Sequence, residues 1–168
     1  MHGGIMPDKQ QSILLGGLLV GLLSTSYLGL INMICCLGVL IGSVVAVWHY
    51  TSTYELTIPA GEGATIGALA AVLGGVISLV LNFVLMKMGI RHDLVISQFM
   101  LERFAESMPP EQLDQIREQM SQPVTLGTYL KQAWYGAGLI ITAIFGAIGG
   151  ALGAVMFKKG GALPEEAV

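Results

Sequence analysis

Apolar residues run along this chain in three long stretches that contain no Asp, Glu, Lys or Arg: residues 12–50, 64–86 and 132–157. Each stretch is at least as long as the roughly 20 residues that a helix needs to cross a bilayer. The first stretch is long enough for two helices, and the polar run 24–26 interrupts it. The pattern therefore predicts an all-α fold, a polytopic membrane bundle of about four transmembrane helices.

The helices that this pattern predicts differ in length and in what lies at their ends. We expect spans at about residues 8–24, 27–50, 63–87 and 130–157. The first apolar run is short, so its helix must begin in the headgroup region near Pro7. Tyr27 and Trp48 flank the second helix, as aromatic residues do at membrane interfaces. We expect residues 1–168 to form one membrane domain with a flexible tail at 160–168.

The segment between the third and fourth predicted spans, residues 91–122, mixes apolar and charged positions. Pro109 and Pro110 divide it, and Leu113 and Ile116 recur at helical spacing in its second half. This pattern predicts an amphipathic helical insert of two short helices that lie on the membrane surface or cap the bundle. The insert is interpreted as an interfacial connector, with a docking surface for a soluble partner as the alternative.

Small residues spaced four apart recur on three of the predicted helices. Lipid tails are as apolar as leucine, so burial cannot drive helix association, and close packing at small residues does so instead. The first, third and fourth helices each carry such a stripe. The predicted helix-packing positions are Gly17, Gly21, Gly63, Gly67, Ala71, Gly75, Gly146, Gly149, Gly150 and Gly153.

A few polar side chains fall on the same faces as these small residues: Asn82, Tyr135 and Thr142. The first interpretation is that they form hydrogen bonds between helices, each contributing on the order of 0.6 kcal/mol. The second interpretation is that they line a small polar cavity. The sequence leaves both open.

The composition argues against catalysis and against nucleic-acid binding. Charged residues make up 11% of the chain, against roughly 25% in soluble domains, and the net charge of −3 provides no basic patch. The sequence contains no nucleophile elbow, zinc-protease motif or phosphate-binding loop. We therefore expect no enzyme activity, no cofactor, no metal site and no nucleic-acid partner.

Cysteine and histidine are the remaining candidates for chemistry. Cys35 and Cys36 are adjacent within an apolar run and are interpreted as small buried residues, with lipidation or redox chemistry as the alternative. His49 and His92 are expected on opposite membrane faces, which argues against a shared haem. A single pigment ligand at His49 stays open beside the interpretation of an ordinary interfacial histidine.

Lysine and arginine counts favour one membrane orientation. Five of these residues lie on the side of the 91–122 insert and three on the side of the termini. Because short cytoplasmic segments are enriched in Lys and Arg, the insert is predicted to be cytoplasmic.

Several local motifs resemble those of small bacterial four-helix inner-membrane proteins of unknown function. The resemblance covers residues 12–159 and includes an acidic insert before a glycine-rich last helix. The motifs are Ile31-Asn32, Cys35-Cys36-Leu37, Gly61-Glu62-Gly63-Ala64 and Lys158-Lys159. It implies a multi-pass protein of the bacterial inner membrane with four helices, and it implies no activity.

Three functional hypotheses follow from these features. The first is a non-catalytic accessory or scaffolding subunit whose partners are the lipid bilayer and other membrane subunits, or further copies of this chain. The alternative is a small oligomeric channel that passes ions or neutral solutes. A weaker alternative is a pigment- or lipid-binding subunit.

Overall fold

The computed structural model describes residues 8–25, 28, 32, 36–90, 92–121, 125–127, 130 and 138–162. This part of the chain is mostly helical. Its six α-helices are α1 Gln10–Leu23, α2 Leu37–Tyr54, α3 Ala60–Lys87, α4 His92–Phe104, α5 Pro110–Ser121 and α6 Gly138–Met156. A 3-10 turn, Ala105–Ser107, joins α4 to α5. Two short strands, β1 Leu56–Thr57 and β2 Gly161–Ala162, pair in parallel.

Four of the helices, α1, α2, α3 and α6, pack into a bundle. The helices α2 and α3 contact each other, and each also packs against α1 and α6. At one end of the bundle Lys9 Nζ lies 2.6 Å from Glu62 Oε1, and the Tyr54 hydroxyl donates to the Asp8 carbonyl at 3.2 Å. The β1–β2 pairing lies at the same end, called here the terminal end, so the four helices alternate in direction. The opposite end, from which α3 leads into α4, is called the insert end.

Two of the described helices, α3 and α6, are long and apolar enough to cross a membrane. The helix α1 has 14 residues and is shorter than a standard span. Asp8 begins α1 by accepting the Gln10 N–H at 2.8 Å, a carboxylate placed where the helix dipole favours negative charge. The predicted first span at 8–24 therefore corresponds to a helix of residues 10–23.

The bundle has small residues in its interior and large side chains on its outer surface. Its buried positions are mostly glycine and alanine, with Val20 and Val47 among the larger buried side chains. Its outer surface carries large aliphatic side chains that are each 45–67% exposed. On α1, α3 and α6 these include Leu14, Leu18, Leu22, Leu69, Val76, Val80, Ile140, Ile144, Ile148 and Leu152. Soluble monomers rarely expose contiguous apolar surface of this extent.

The second helix begins later than the sequence pattern predicts. The expected span was 27–50, whereas α2 runs from Leu37 to Tyr54. Cys36 has a φ of +54°, a left-handed conformation that a helix cannot continue through. The Asn32 Oδ1 atom then accepts the Val39 N–H at 3.2 Å and caps the new helix. Tyr27 and Cys35, which the prediction placed in this span, lie outside the described residues.

The third helix ends in a tight, well-defined turn. Gly89 has a φ of +90°, its N–H donates to the Met86 carbonyl at 3.2 Å, and the Ile90 N–H donates to the Leu85 carbonyl at 2.9 Å. These two bonds around a left-handed glycine form a Schellman motif. The chain then enters α4 at His92, and Pro110 begins α5 at the division that the sequence indicates.

The C-terminal segment differs from the predicted flexible tail at 160–168. Gly161 and Ala162 pair with Leu56 and Thr57 as β2. Gly160 has a φ of +122°, and its N–H donates to Thr57 Oγ1 at 3.2 Å, so the chain turns toward β1 directly after α6. Residues 163–168 lie outside the described part, as do residues 131–137 of the predicted 130–157 span.

Candidate functional site

The interface between α3 and α6 brings two helix backbones into direct contact. A Cβ atom on Gly63 would lie 2.5 Å from the carbonyl oxygen of Gly150 and 2.6 Å from Ala154 Cβ. A Cβ atom on Gly67 would overlap the Gly146 carbonyl oxygen, and one on Gly150 would overlap the Gly63 carbonyl oxygen. The interface therefore admits no side chain at these glycines.

The remaining small positions of α3 that the sequence singles out lie against the same helix. Ala71 Cβ packs on Gly146, and a Cβ atom on Gly75 would lie 2.7 Å from Leu139 Cδ2. The stripe of Gly63, Gly67, Ala71 and Gly75 thus faces α6 along its whole length. The four-residue spacing repeats closely enough with the helical turn to keep the stripe on one face.

The glycines of α6 divide between two neighbours. Gly146 and Gly150 face α3, whereas Gly149 and Gly153 face α2. A Cβ atom on Gly149 would lie 2.9 Å from the Leu40 carbonyl oxygen, and one on Gly153 would lie 3.0 Å from Val47 Cβ. The overlapping glycine pairs of α6 therefore allow close approach to two helices at once.

The first helix packs through glycines on both sides. Gly17 and Gly21 face α3, where Cβ atoms would lie 2.9 Å from Leu73 Cδ2 and 2.8 Å from Ile77 Cγ2. Gly16 faces α2, and a Cβ atom there would lie 2.8 Å from the Gly42 carbonyl oxygen. These contacts bring α1 close to both central helices.

Some of these close contacts involve glycines that the sequence analysis did not single out: Gly16, Gly42 and Gly74. A Cβ atom on Gly74 would lie 2.6 Å from the Gly17 carbonyl oxygen. The signal that could have found two of them is the same four-residue spacing. It occurs in the series Gly38, Gly42, Ala46 on α2 and in the series Ala70, Gly74, Ser78 on α3.

A hydrogen-bonded polar cluster closes the insert end of the bundle. The Ser24 carbonyl, just past the end of α1, accepts from Ser78 Oγ at 2.9 Å and from Asn82 Nδ2 at 3.4 Å. Asn82 Nδ2 also donates to Ser78 Oγ at 3.1 Å, and Asn32 Nδ2 donates to Ser24 Oγ at 2.8 Å. Side chains of α3 thus satisfy a carbonyl that the end of α1 leaves unpaired.

The other two residues of the predicted polar cavity are placed differently. The Thr142 hydroxyl donates to the Gly138 carbonyl of its own helix at 2.6 Å, and Thr142 is half-buried on α6. Tyr135 lies outside the described residues. The observed bonds of Asn82 are of the kind that the hydrogen-bond interpretation requires, and the cavity interpretation stays a prediction.

A second polar group ties the helices together at the terminal end. Ser12 is fully buried, and its Oγ lies 2.8 Å from His49 Nδ1, which joins α1 to α2. Because Ser12 occupies Nδ1, a pigment bound at His49 would have to use Nε2. The Lys9–Glu62 ion pair joins the start of α1 to α3 at the same end.

Tyr50 fills the core beside this group. Its ring packs edge-on against Tyr54 with centroids 5.4 Å apart. Its hydroxyl is buried and has no hydrogen-bond partner among the described residues. Within that same part of the chain, no group of three or more His, Cys, Asp and Glu side chains is placed to hold a metal ion.

Comparison with known proteins identifies a family and nothing further. The model of a family described as protein of unknown function (DUF4199) matches residues 12–159. The match covers most of the chain, so the chain belongs to that family. No curated protein and no solved structure matches it.

Proposed function

We propose that this DUF4199 protein is a multi-pass protein of the bacterial inner membrane, in which α1, α2, α3 and α6 cross the bilayer. We further propose that it is a non-catalytic scaffolding or accessory subunit of a larger membrane assembly. The observation that carries the proposal is the arrangement of the bundle, with glycine backbones in contact inside and large aliphatic side chains outside.

The outward aliphatic surface supports the membrane part of the proposal. Val76, Ile144 and Leu152 are each about half exposed. A helix that faced water could carry polar residues at these positions, yet this chain carries large aliphatic ones. In lipid the exposure of these side chains costs no free energy, because the hydrocarbon is as apolar as the side chains. The short α1, about 21 Å long at 1.5 Å per residue, reaches the headgroups through Lys9, whose aliphatic stem can extend toward water.

The glycine contacts support a scaffold over a pore within one chain. The Ser43 hydroxyl of α2 donates to the Gly67 carbonyl of α3 at 3.2 Å, and Gly67 in turn contacts α6. Three helices therefore meet at Gly67, where α3 and α6 touch backbone against backbone and α2 bonds through its Ser43 hydroxyl. A tightly packed bundle of this kind holds a fixed outer shape, which is what a scaffolding subunit must offer its neighbours.

The proposed orientation places the insert end in the cytoplasm. It follows from the excess of Lys and Arg on that side of the bundle. In the structure, α4 and α5 both follow the insert end of α3, so they would lie together on the cytoplasmic face.

Gentle detergent extraction followed by native mass measurement tests the scaffold proposal. We expect the chain to run as part of a larger assembly, with other subunits or with further copies of itself. A monodisperse monomer with no co-purifying partner would contradict the proposal. Resistance to alkaline extraction of the membranes tests the membrane part separately.

Flux into liposomes distinguishes the scaffold from an oligomeric channel. We expect no flux above empty liposomes for ions and small neutral solutes. Flux that drops in Asn82→Leu or Thr142→Leu would favour the channel. Thr65→Leu is the matched control, because the Thr65 hydroxyl also donates to the carbonyl four residues earlier, at 3.0 Å, but lies at the terminal end of α3.

A further inference from the structure

We propose that α4 lies in the boundary between the headgroups and the acyl chains, and that lipid is the partner of its outward apolar side chains. This inference rests on the proposed membrane span of α3. It concerns a part of the molecule that the bundle itself does not explain, because α4 packs on α5 and on the 3-10 turn rather than within the bundle core.

Val95 and Phe99, one turn apart on α4, are exposed apolar side chains beside the exposed charged residues Glu102 and Arg103. Val95 is 48% exposed, Phe99 54% and Phe104 45%. Leu94 and Leu101, by contrast, are half-buried on the helix that packs against α5. Among the described residues, packing within the α4–α5 pair thus leaves Val95 and Phe99 exposed together, while Phe104 is exposed on another face at the end of the helix. Phenylalanine is favoured on the apolar faces of helices that lie in a membrane interface.

Exposed apolar side chains continue past the end of α3 into the turn, with Lys87 among them, before Arg91, His92 and Asp93 lead into α4. Val84 is 46% exposed, and beyond the helix end Met88 is 71% and Ile90 39% exposed. The Lys87 amine lies over the Phe83 ring, 5.7 Å from its centroid, so the charge at the end of α3 rests against an aromatic face. A turn that entered water would not be expected to present Met88 and Ile90 outward in succession.

The turn after α3 also fixes where α4 can go. The Schellman bonds at Gly89 and Ile90 leave only residue 91 between the turn and His92. This connection is too short for the start of α4 to lie far from the end of α3. If α3 ends at the membrane surface, α4, about 20 Å long, begins at that surface.

The net charge of α4 and α5 indicates whether headgroup charge or burial of apolar side chains would hold them at the bilayer. Residues 92–121 hold six acidic and two basic side chains, a net charge of −4 with histidine neutral. Anionic headgroups attract polybasic segments, so they would not attract this one. Binding must instead come from burial of apolar area. The exposed Glu111, Asp114 and Glu118 of α5 would then face water.

Depth measurement by spin labels on the full chain tests the inference. Cys35→Ser and Cys36→Ser remove the native thiols, and single cysteines then replace Val95, Phe99 or Asp114. Each labelled protein is reconstituted in phosphatidylcholine nanodiscs. Collisions with oxygen, which concentrates in lipid, are compared with collisions with a polar nickel chelate. A label at position 80 on α3 serves as the internal reference, because Val80 is 59% exposed on the proposed lipid face.

We expect oxygen to dominate at positions 80, 95 and 99 and nickel to dominate at position 114. The same pattern should persist when phosphatidylglycerol replaces part of the phosphatidylcholine, and the labels at positions 95 and 99 should lie no deeper in the bilayer. Nickel access at 95 and 99 equal to that at 114, with position 80 still in lipid, would overturn the inference and favour a soluble partner for α4. Protection of 95 and 99 from both reagents would also overturn it, since protein would then cover them. Nickel access at position 80 would overturn the proposed membrane span as well.

Discussion

The four-helix bundle and α5 place the same kinds of side chain in opposite positions. In the bundle, glycine lies inside and aliphatic side chains such as Val76 and Ile144 lie outside. In α5, Leu113 and Ile116 are half-buried, and charged side chains such as Glu111 are exposed. The α5 sequence is rich in charge and the bundle helices are almost free of it, and the proposed membrane span accounts for the difference by placing lipid around the bundle.

The difference shows which interactions stabilise the helix contacts in each region. Where water surrounds a helix, apolar area buried against a neighbour stabilises the contact at roughly 25 cal/mol per Å². Where lipid surrounds it, that term vanishes, and close backbone approach through glycine must supply dispersion contacts instead. The bundle has the second arrangement and α5 the first.

The largest expected effect comes from filling the α3–α6 contact. Gly150→Val places a branched side chain where even a Cβ atom would overlap the Gly63 carbonyl oxygen. Overpacking costs about 1–3 kcal/mol and more against backbone, so we expect the unfolding midpoint to fall by roughly 10 °C or the protein not to accumulate. Thermal unfolding in detergent or nanodiscs measures it.

Gly138→Val is the matched control on the same helix. Among the described residues, no heavy atom lies within 4 Å of a Cβ atom on Gly138, so the substitution should leave the unfolding midpoint nearly unchanged. Equal midpoints for the two variants would show that α3 and α6 are not in backbone contact.

The next effect tests whether the outside of the bundle meets lipid. Val76→Asp puts a carboxylate near the middle of α3, where Val76 is 46% exposed. In a bilayer this disfavours insertion by roughly 2.5–3.5 kcal/mol, whereas on a soluble surface it stays within about 0.5 kcal/mol. We expect the inserted fraction in a glycosylation-mapping assay to drop sharply. Gln112→Asp on α5 should have no effect, and an equally silent Val76→Asp would place α3 in water.

The sequence predicts the parts of this fold that repeat along a helix. The stripe from Gly63 to Gly75 persists over more than three turns, so its spacing alone indicates one contact face, and in the structure it lies against α6. The partner of each stripe is harder to predict. The helix α3 carries a second stripe through Ala70 and Gly74 at the same spacing, and only the packing shows that this one faces α1.

Features that depend on single residues cannot be predicted from the hydrophobic pattern along the chain. The left-handed Cys36 lies in an apolar run that reads as continuous helix, and non-glycine residues rarely adopt this conformation. The β1–β2 pairing joins Thr57 to Ala162 through only two residues on each strand. A pairing so short leaves no periodicity, because alternation needs at least four residues to show. The cap from Asn32 depends in turn on the break at Cys36.

A moderate effect should follow from removing that cap. Asn32→Ala deletes both the bond to the Val39 N–H and the bond to Ser24 Oγ. Loss of an N-terminal cap costs about 0.5–2 kcal/mol, and we expect faster hydrogen exchange in the first turn of α2. Exchange measured by mass spectrometry on the peptide that contains Val39 checks it.

Asn32→Asp separates the two bonds. The aspartate keeps an oxygen for the Val39 N–H and loses the donor to Ser24, so protection of α2 should be largely retained. Equal exchange in Asn32→Ala and Asn32→Asp would indicate that the Ser24 bond, and not the cap, holds the helix start.

The smallest effects compare an ion pair of the bundle with one of the insert. Glu62 is 14% exposed beside Lys9, with 2.6 Å between Nζ and Oε1, whereas Asp114 and Arg117 are 77% and 67% exposed and 3.6 Å apart. Exposed pairs contribute little because water and salt screen them. We expect Asp114→Asn to leave the unfolding midpoint unchanged and Glu62→Gln to lower it slightly, by an amount that shrinks as salt is added.

A double-mutant cycle with Lys9→Met isolates the coupling between Lys9 and Glu62 from the loss of either charge alone. Lys9 is 45% exposed, so the coupling should be modest even though the pair is short. A coupling no larger than that of Asp114 with Arg117 would mean that water screens the terminal end of the bundle as fully as it screens α5. The contrast between the two regions would then be confined to the glycine interfaces and the outward aliphatic surface.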